Sequence, residues 1–432
     1  MVVKKLSILG SALLLVFMGI FSSGCLDDED EAKVDCAEAF CIGTLLAEGE
    51  GFNGSLIEAV NLAKEDINKA GGNTEIISGN SFQAGASQVT ASAEQLLEMG
   101  IHGMVAPSYS SDSVSIHPFL GENEMVGISP SATSVELTTE NEKVVERGDQ
   151  PFFFRVAPSD RFQAPILAKQ SQGNTVIVYR DDAWGKSLAA DTREGIMSDG
   201  RQAKTIPYDT ADFPDDADDA TVSQRAADVV LKVEGAVEEI KAESIVLLVF
   251  NVEGGPIVRG LLDSSAISDG VGYYFGDGLT FDDALFQHVE KESGEIAGFK
   301  QVISTPPLGQ RLEEFKERFN FSDYAAHAYD AVVILRLAAL SAGSNDPSVY
   351  VSEVQEVTRG GTKCHSYATC AAALTDETTV NDDIDYEGIS GPINLDQYGD
   401  ITDGLYAVNT YDAQGVPTTI YLNFEGEEVN TN

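Results

Sequence analysis

Basic side chains are scarce in this chain. Lys and Arg together number 27 against 70 Asp plus Glu, and the resulting formal net charge of −43 repels phosphate backbones, so nucleic acid is set aside as a partner. Histidine is sparse too. The five, His102, His117, His288, His327 and His365, are scattered without H-E-x-x-H spacing, and no G-x-S-x-G elbow occurs. With no nucleophile, base and orienter in view and no metal-ligand cluster, the chain is read as a non-enzyme that needs neither cofactor nor metal. His117 and His327 read as surface or core fillers. Beyond residue 21 no stretch is apolar enough to cross a bilayer. Tryptophan occurs once, as Trp184.

What is present is enough to fold. The hydrophobic fraction of 43% and aromatic fraction of 8% exclude a chain disordered throughout, and 432 residues exceed one typical core, so two domains are expected. The acidic runs Asp27-Asp28-Glu29-Asp30-Glu31 and Pro214-Asp215-Asp216-Ala217-Asp218-Asp219 read as solvated tether and loop.

The N-terminus carries Lys4-Lys5, an apolar stretch from Leu6 to Phe21, and then Ser22-Ser23-Gly24-Cys25, the order of an export signal ending at small residues. It resembles a bacterial lipoprotein signal, which implies that residues 1–24 are removed and that Cys25 is acylated as a membrane anchor; a plain cleaved signal is the alternative. The remaining cysteines, Cys36, Cys41, Cys364 and Cys370, are even in number, and exported chains favour disulfides. Three pairings exist. The spacings favour Cys36 with Cys41 and Cys364 with Cys370, each closing a short surface loop. His365 beside Cys364 lacks the second ligand pair that a zinc site requires.

Along the chain, short apolar runs alternate with helical periodicity. Cys41–Leu46 reads as a strand, followed by the turn Glu48-Gly49-Glu50-Gly51 and by a helix carrying Leu56, Val60, Ala63 and Ile67, with Asn53 and Ser55 as caps and Gly71-Gly72 as its stop. The alternation continues through Val126–Ser129, pauses at a polar loop around Asn141 to Gln150, and resumes with strands at Thr175–Tyr179, Ile245–Phe250 and Gly272–Phe275. A long helix is expected from about Tyr324 to Ala342, and turn-rich strands such as Leu405–Val408 follow. Strands alternating with helices of this length indicate α/β layers with parallel sheets.

Six blocks in this order resemble the branched-chain amino-acid-binding family of periplasmic type I binding proteins. They are Ile42–Leu46 leading into Asn61–Gly72, Ile128-Ser129-Pro130-Ser131-Ala132-Thr133-Ser134-Val135-Glu136-Leu137-Thr138, Phe154–Asp160, Asp181–Gly185, Ala328–Ala331 and Gly388–Asp396. The resemblance implies two doubly wound parallel-sheet lobes joined by three crossovers, with a small amino-acid-like ligand clamped between them. Residues 25–40 would be an acidic tether, 41–155 with 307–386 the first lobe, and 156–306 with 387–432 the second. It further implies a monomer that serves an ABC permease from the cell envelope, or a sensing and regulatory lipoprotein of the same fold without transport.

By the same resemblance Ser110, Ser131 and Thr133 grip the α-carboxylate and α-amino groups, or else merely cap the next helix. Phe52 and Trp184, the latter in a post-strand loop, wall the pocket. Asp277 meets an ammonium, and Glu50 is a lesser candidate. Asn251-Val252-Glu253-Gly254 departs from the family's aromatic contact, which suggests a polar or acidic ligand side chain.

If Cys25 carries lipid, Cys25→Ser releases the protein from membranes without unfolding it, because a tether and no core is lost. Membrane fractionation after a salt wash reads this, and a Ser variant that still sediments would defeat the lipoprotein reading.

Overall fold

The computed structural model describes residues 35–47, 52–79, 86–213, 218–281, 283–290, 294–319, 321–376 and 383–430. The signal at 1–24, Cys25, Glu50 and the acidic stretches 27–31 and 214–217 lie outside the described residues.

The first sheet is wholly parallel. Its strands are β1 (Phe40–Thr44), β2 (Thr74–Ser78), β3 (Gly103–Val105), β4 (Gly127–Ser129) and β5 (Phe153–Arg155), ordered β2-β1-β3-β4-β5. The helices between them are α1 (Phe52–Lys69), α2 (Ala86–Glu98), α3 (Ser110–Glu122) and α4 (Val135–Glu146). On α1 the buried positions Leu56, Ala59, Val60, Ala63 and Ile67 form one apolar stripe at helical spacing. Gly71, at φ +86°, turns the chain out of that helix where a β-carbon would be strained.

Two expectations fail here. Asn53 and Ser55 lie inside α1, so they are not its caps. Instead Ser55 Oγ accepts the Ser322 amide N–H at 2.9 Å, and Asn53 Oδ1 accepts from Ser108 Oγ at 3.2 Å. The polar loop expected from Asn141 is also mostly helix, since α4 runs to Glu146. Asn141 is a buried clamp whose amide donates to Phe153 O at 2.8 Å and Tyr398 O at 2.7 Å, while its Oδ1 meets His117 Nε2 at 2.7 Å. A polar residue with every group satisfied can be buried, and composition alone does not reveal that.

The second sheet has seven strands. After α5 (Asp160–Gln170) come β6 (Thr175–Arg180), α6 (Ala183–Ser198), β7 (Ala203–Tyr208), α7 (Asp219–Ile240), β8 (Ser244–Leu248), α8 (Asn251–Asp263), β9 (Gly272–Phe275), α9 (Asp283–Phe286) and β10 (Lys300–Thr305). Strands β7, β6, β8, β9 and β10 are parallel neighbours, but β13 (Leu405–Tyr411) and β14 (Pro417–Leu422) add an antiparallel hairpin to the β10 edge. The sheet is therefore mixed. Asp218, at the end of one acidic run, accepts the Thr221 amide at 2.7 Å and caps α7.

Between β10 and β13 the chain supplies α10 (Gln310–Lys316), α11 (Ala325–Ala342), α12 (Pro347–Tyr350), α13 (Glu353–Glu356), β11 (Thr362–Cys364), α14 (Tyr367–Leu374) and β12 (Ile384–Tyr386). The expectation that no stretch beyond residue 21 is apolar enough to cross a bilayer needs correction, because α11 passes that test by length and composition, yet it is a core helix, buried on nearly every face against α1, β3 and β4. The chain thus forms two α/β lobes and passes between them three times, after β5, after β10 and after β12, as the resemblance implied. Disulfides link Cys36 to Cys41 and Cys364 to Cys370, as the spacings suggested.

One buried charge ties the end of β5 to the segment between β12 and β13. Arg155, 0% exposed, ends β5 and donates to Asp400 Oδ1 at 2.6 Å, Ala132 O at 3.2 Å, Ser134 O at 2.8 Å and Thr138 Oγ1 at 2.7 Å. Thr138 in turn donates to Asp400 Oδ2 at 2.7 Å. Asp400→Ala would leave the buried guanidinium without a counter-charge, so unfolding free energy in urea should fall by roughly 3–5 kcal/mol. A loss below about 1 kcal/mol, the size of an exposed pair, would show that the pair is not buried in solution.

Candidate ligand-binding site

A cleft of about 880 Å³ opens between the lobes, and the residues lining it follow the carboxyl ends of strands in both sheets. Open α/β sheets bind ligands there because strand ends and helix N-termini leave N–H groups facing the crevice. Phe52, Ser110, Ser131, Thr133, Trp184 and Asp277, placed at a ligand from sequence, all line this one cleft.

The first lobe brings hydroxyls. Ser110 Oγ accepts the Thr133 and Ser134 amides, each at 3.2 Å, which joins the turn after β3 to the turn after β4. With its oxygen occupied, Ser110 keeps its proton to donate. Ser131 is the reverse, since its hydroxyl donates to Ser108 O at 2.9 Å and leaves lone pairs to accept. Helix capping falls to Ser134, whose Oγ accepts the Glu136 amide at 3.2 Å.

The second lobe brings a carboxylate and aromatic walls. Asp277 accepts from Gln163 Nε2 at 3.1 Å and Tyr324 hydroxyl at 2.6 Å, and the Trp184 indole N–H also aids it. Burial still holds its carboxyl above the usual range, against those donors. Trp184 is not in a loop. It sits in the first turn of α6, 5% exposed, where Asp182 caps by accepting the Gly185 amide at 2.9 Å, and its ring lies 4.9 Å from that of Phe250. Gly185 is required, because a β-carbon there would come within 2.2 Å of the Arg180 carbonyl oxygen. The lone tryptophan is both core and cleft wall.

Sequence reading missed Tyr109, Arg180, Phe250 and Tyr324. Arg180 stacks 4.0 Å over Phe250 and donates to Asp182 at 2.9 Å and Glu253 at 2.6 Å; burial alone would lower its pKa, but Glu253, Tyr208 and Asp182 together more than offset that and keep it charged. Glu253 Oε1 also accepts from Tyr208 at 2.7 Å and from the Phe250 amide at 3.1 Å. The signal available was position, since Arg180 ends a strand and the others sit in turns after strands or beside a helix start. His117 and His327 are buried, and burial lowers the pKa of both. Among the described residues no group of three His, Cys, Asp or Glu side chains could hold a metal ion.

The lobes already touch beside the cleft. Ala183 N donates to Ser111 Oγ at 3.2 Å, Ser134 Oγ donates to Ala183 O at 3.0 Å, and the Tyr109 and Phe250 rings lie 5.9 Å apart. The family described as receptor family ligand binding region matches residues 56–414. The chain belongs to that family. Its members are ligand-binding modules, not enzymes.

This binding protein is 25% identical over 322 residues to Leu/Ile/Val-binding protein homolog 3 of Brucella melitensis, covering 72% of this chain and 81% of that protein. An uncharacterised protein of Methanocaldococcus jannaschii, MJ1266, is 33% identical over 125 residues, but the match spans only 27% of this chain and 28% of that protein. In structure the binding protein is similar to a leucine-binding protein, LivK, of Thermotoga maritima, with a TM-score of 0.65, 17% identity, and coverage of 88% of this chain and 97% of that one.

For this binding protein, Ser110→Ala is expected to act without any ligand present. It leaves two buried amides unsatisfied, which costs about 1–3 kcal/mol each, so the melting temperature of the empty protein should fall. An unchanged melting temperature would mean that the Ser110 hydroxyl does not tie the two turns together.

Proposed function

We propose that this binding protein captures a free amino acid, or a similar small dipolar ligand, between its lobes and delivers it to an ABC importer. Opposite polarity across one cleft carries the reading: Ser110 and the turn at Ser131 and Thr133 face the α-carboxylate and part of the ammonium, and Asp277 faces the ammonium from the other lobe. The aromatic rings of Phe52, Trp184, Phe250 and Tyr324 then cover the side chain. The name of the Brucella relative, a Leu/Ile/Val-binding protein, supports an amino acid as the ligand class. In this reading the chain is an exported monomer held at the cell envelope by lipid on Cys25, and the lobe boundaries at 155, 306 and 386 are its hinge segments.

The ligand side chain is best taken as uncharged or cationic. Asn251 suggested an acidic one, but its amide is tied to Thr280, donating to the hydroxyl at 2.7 Å and accepting the backbone N–H at 2.9 Å. Arg180 is matched by Asp182 and Glu253, while Asp277 and Asp323 add further negative charge to the lining. A second carboxylate on the ligand would meet no spare cation among these residues.

Thermal-shift screening of the common amino acids tests the class, because a ligand bound only by the folded state raises the melting temperature by mass action. Calorimetry on the best of them should then show Asp277→Ala losing roughly 2–5 kcal/mol of binding, the range for truncating one partner of a buried charge pair. Wild-type affinity in that variant would sink the placement of the ammonium.

A further inference from the structure

Asp160 is the unexplained group beneath this cleft. It opens α5 immediately after β5, is 1% exposed, and neither carboxylate oxygen makes a hydrogen bond of good geometry, the Thr133 hydroxyl being the one donor near enough to favour its ionised form. A buried, unmatched carboxylate is costly unless it holds a proton. Its position is fixed on both sides. Its backbone N–H donates to Thr133 O at 2.8 Å, under the first-lobe turn that lines the cleft, and Gln163, one helical turn further on, donates its side-chain amide to Asp277 Oδ1 at 3.1 Å. Asp160 therefore lies under the floor, between the turn proposed to hold the ligand's carboxylate and the carboxylate proposed to hold its ammonium.

Among the described residues the pair has no neutralising cation of its own. Asp277 and Asp191 oppose ionisation of Asp160, and the Tyr324 and Tyr406 phenols lie within electrostatic reach of both Asp160 and Asp277. Arg155 favours ionisation but is engaged by Asp400, and Arg161 faces Asp396 and Asp400. His327, whose ring is 5.1 Å from that of Tyr324, is held neutral by burial, its pKa lowered to about 3. Burial first, and Asp277 second, hold the Asp160 carboxyl well above the ordinary range, while the Thr133 side chain leans the other way.

We propose that Asp160 and Asp277 share one proton beneath the cleft, and that an ammonium-bearing ligand expels it on seating, so that ligand capture releases a proton. The proposal rests on the amino-acid reading of the cleft. In the empty protein the pair carries one negative charge. As the ammonium settles on Asp277, the Asp160 O–H bond breaks with its electron pair left on oxygen, the proton passes to solvent, and the pair carries two negative charges against one positive. Nothing is oxidised or reduced. Asp160 is a positioning residue that sets the charge of Asp277's surroundings without touching the ligand. Affinity should then rise with pH wherever the empty pair still holds its proton and the complex does not.

The test is calorimetric titration of the full chain with L-leucine, and then with each other common amino acid, in phosphate and in Tris at matched pH. The difference in heat between buffers gives the protons released per ligand bound. Release of up to about one proton per ligand, together with affinity that tightens as pH rises, is the expected result. Asp160→Asn, with folding checked by melting, is expected to bring the release towards zero and flatten the pH profile of the dissociation constant. Wild-type binding with no buffer dependence across the acidic to neutral range overturns the shared proton, as does an Asp160→Asn protein that releases as many protons as wild type. If Asp160→Asn does not fold, the wild-type buffer comparison alone decides. Failure of every amino acid to bind would instead defeat the amino-acid reading and this proposal with it.

Discussion

Arg155 is held where no water can reach it, and much of the molecule is arranged to make that tolerable. A guanidinium removed from water needs a counter-charge and acceptors for its N–H groups. Asp400 supplies the charge from the segment between β12 and β13, while Ala132 O, Ser134 O and the Thr138 hydroxyl supply further acceptors from the turn after β4 and the start of α4. Meeting that demand fixes three things together: the end of β5, the return path at 399–400, and the shape of the Ser131–Ser134 turn. Backbone bonds follow the same line, with Arg155 N donating to Gly399 O and Val156 N to Ser129 O, each at 3.0 Å. The path of the chain after β5 and the Ser131–Ser134 side of the cleft thus depend on one buried ion pair.

A second buried carboxylate guards the other approach to the second lobe. Asp330 on α11 accepts from Tyr386, from the Ile389 and Ser390 amides, and from Ser390 Oγ at distances of 2.6–3.1 Å, which pins the chain as it leaves β12. Burial raises its pKa, and these donors work against that. Closure of the lobes, as proposed, would then be rotation about short segments beside these two fixed points. A ligand shifts that equilibrium only through contacts that differ between the open and closed states, and a cleft with hydroxyls on one lobe and Asp277 on the other offers such contacts.

The alternation of strands and helices was legible because parallel sheets buried on both faces leave apolar runs, and α1 shows its stripe in the spacing of Leu56, Val60, Ala63 and Ile67. The six candidate residues, which all line the cleft, were singled out through the resemblance, in part because Ile128–Thr138 and Asp181–Gly185 each carry a recognisable turn. What did not show was tertiary. Asn141 reads as a loop residue, yet acceptors from β5 and from Tyr398 make it a buried clamp. Trp184 reads as a loop because Asp182 and Gly185 are turn formers, although Asp182 is a helix cap and Gly185 a close approach to β6. Arg180 and Glu253 are 73 residues apart and declare their pairing only when β6 and β8 lie side by side. The antiparallel hairpin of β13 and β14 is likewise a matter of which sheet edge is left open.

The central claim is that ligand is held in the cleft between the lobes, and Trp184 reports on that place alone because the chain has no other tryptophan. Intrinsic fluorescence of the purified protein, titrated with an amino acid whose binding is established by calorimetry, is the most direct measurement. The account predicts a saturable change in emission whose midpoint matches the calorimetric dissociation constant, since the ring shares the cleft with the ligand and with Asp277. Calorimetric binding with no change in Trp184 emission would place the ligand elsewhere and contradict the account.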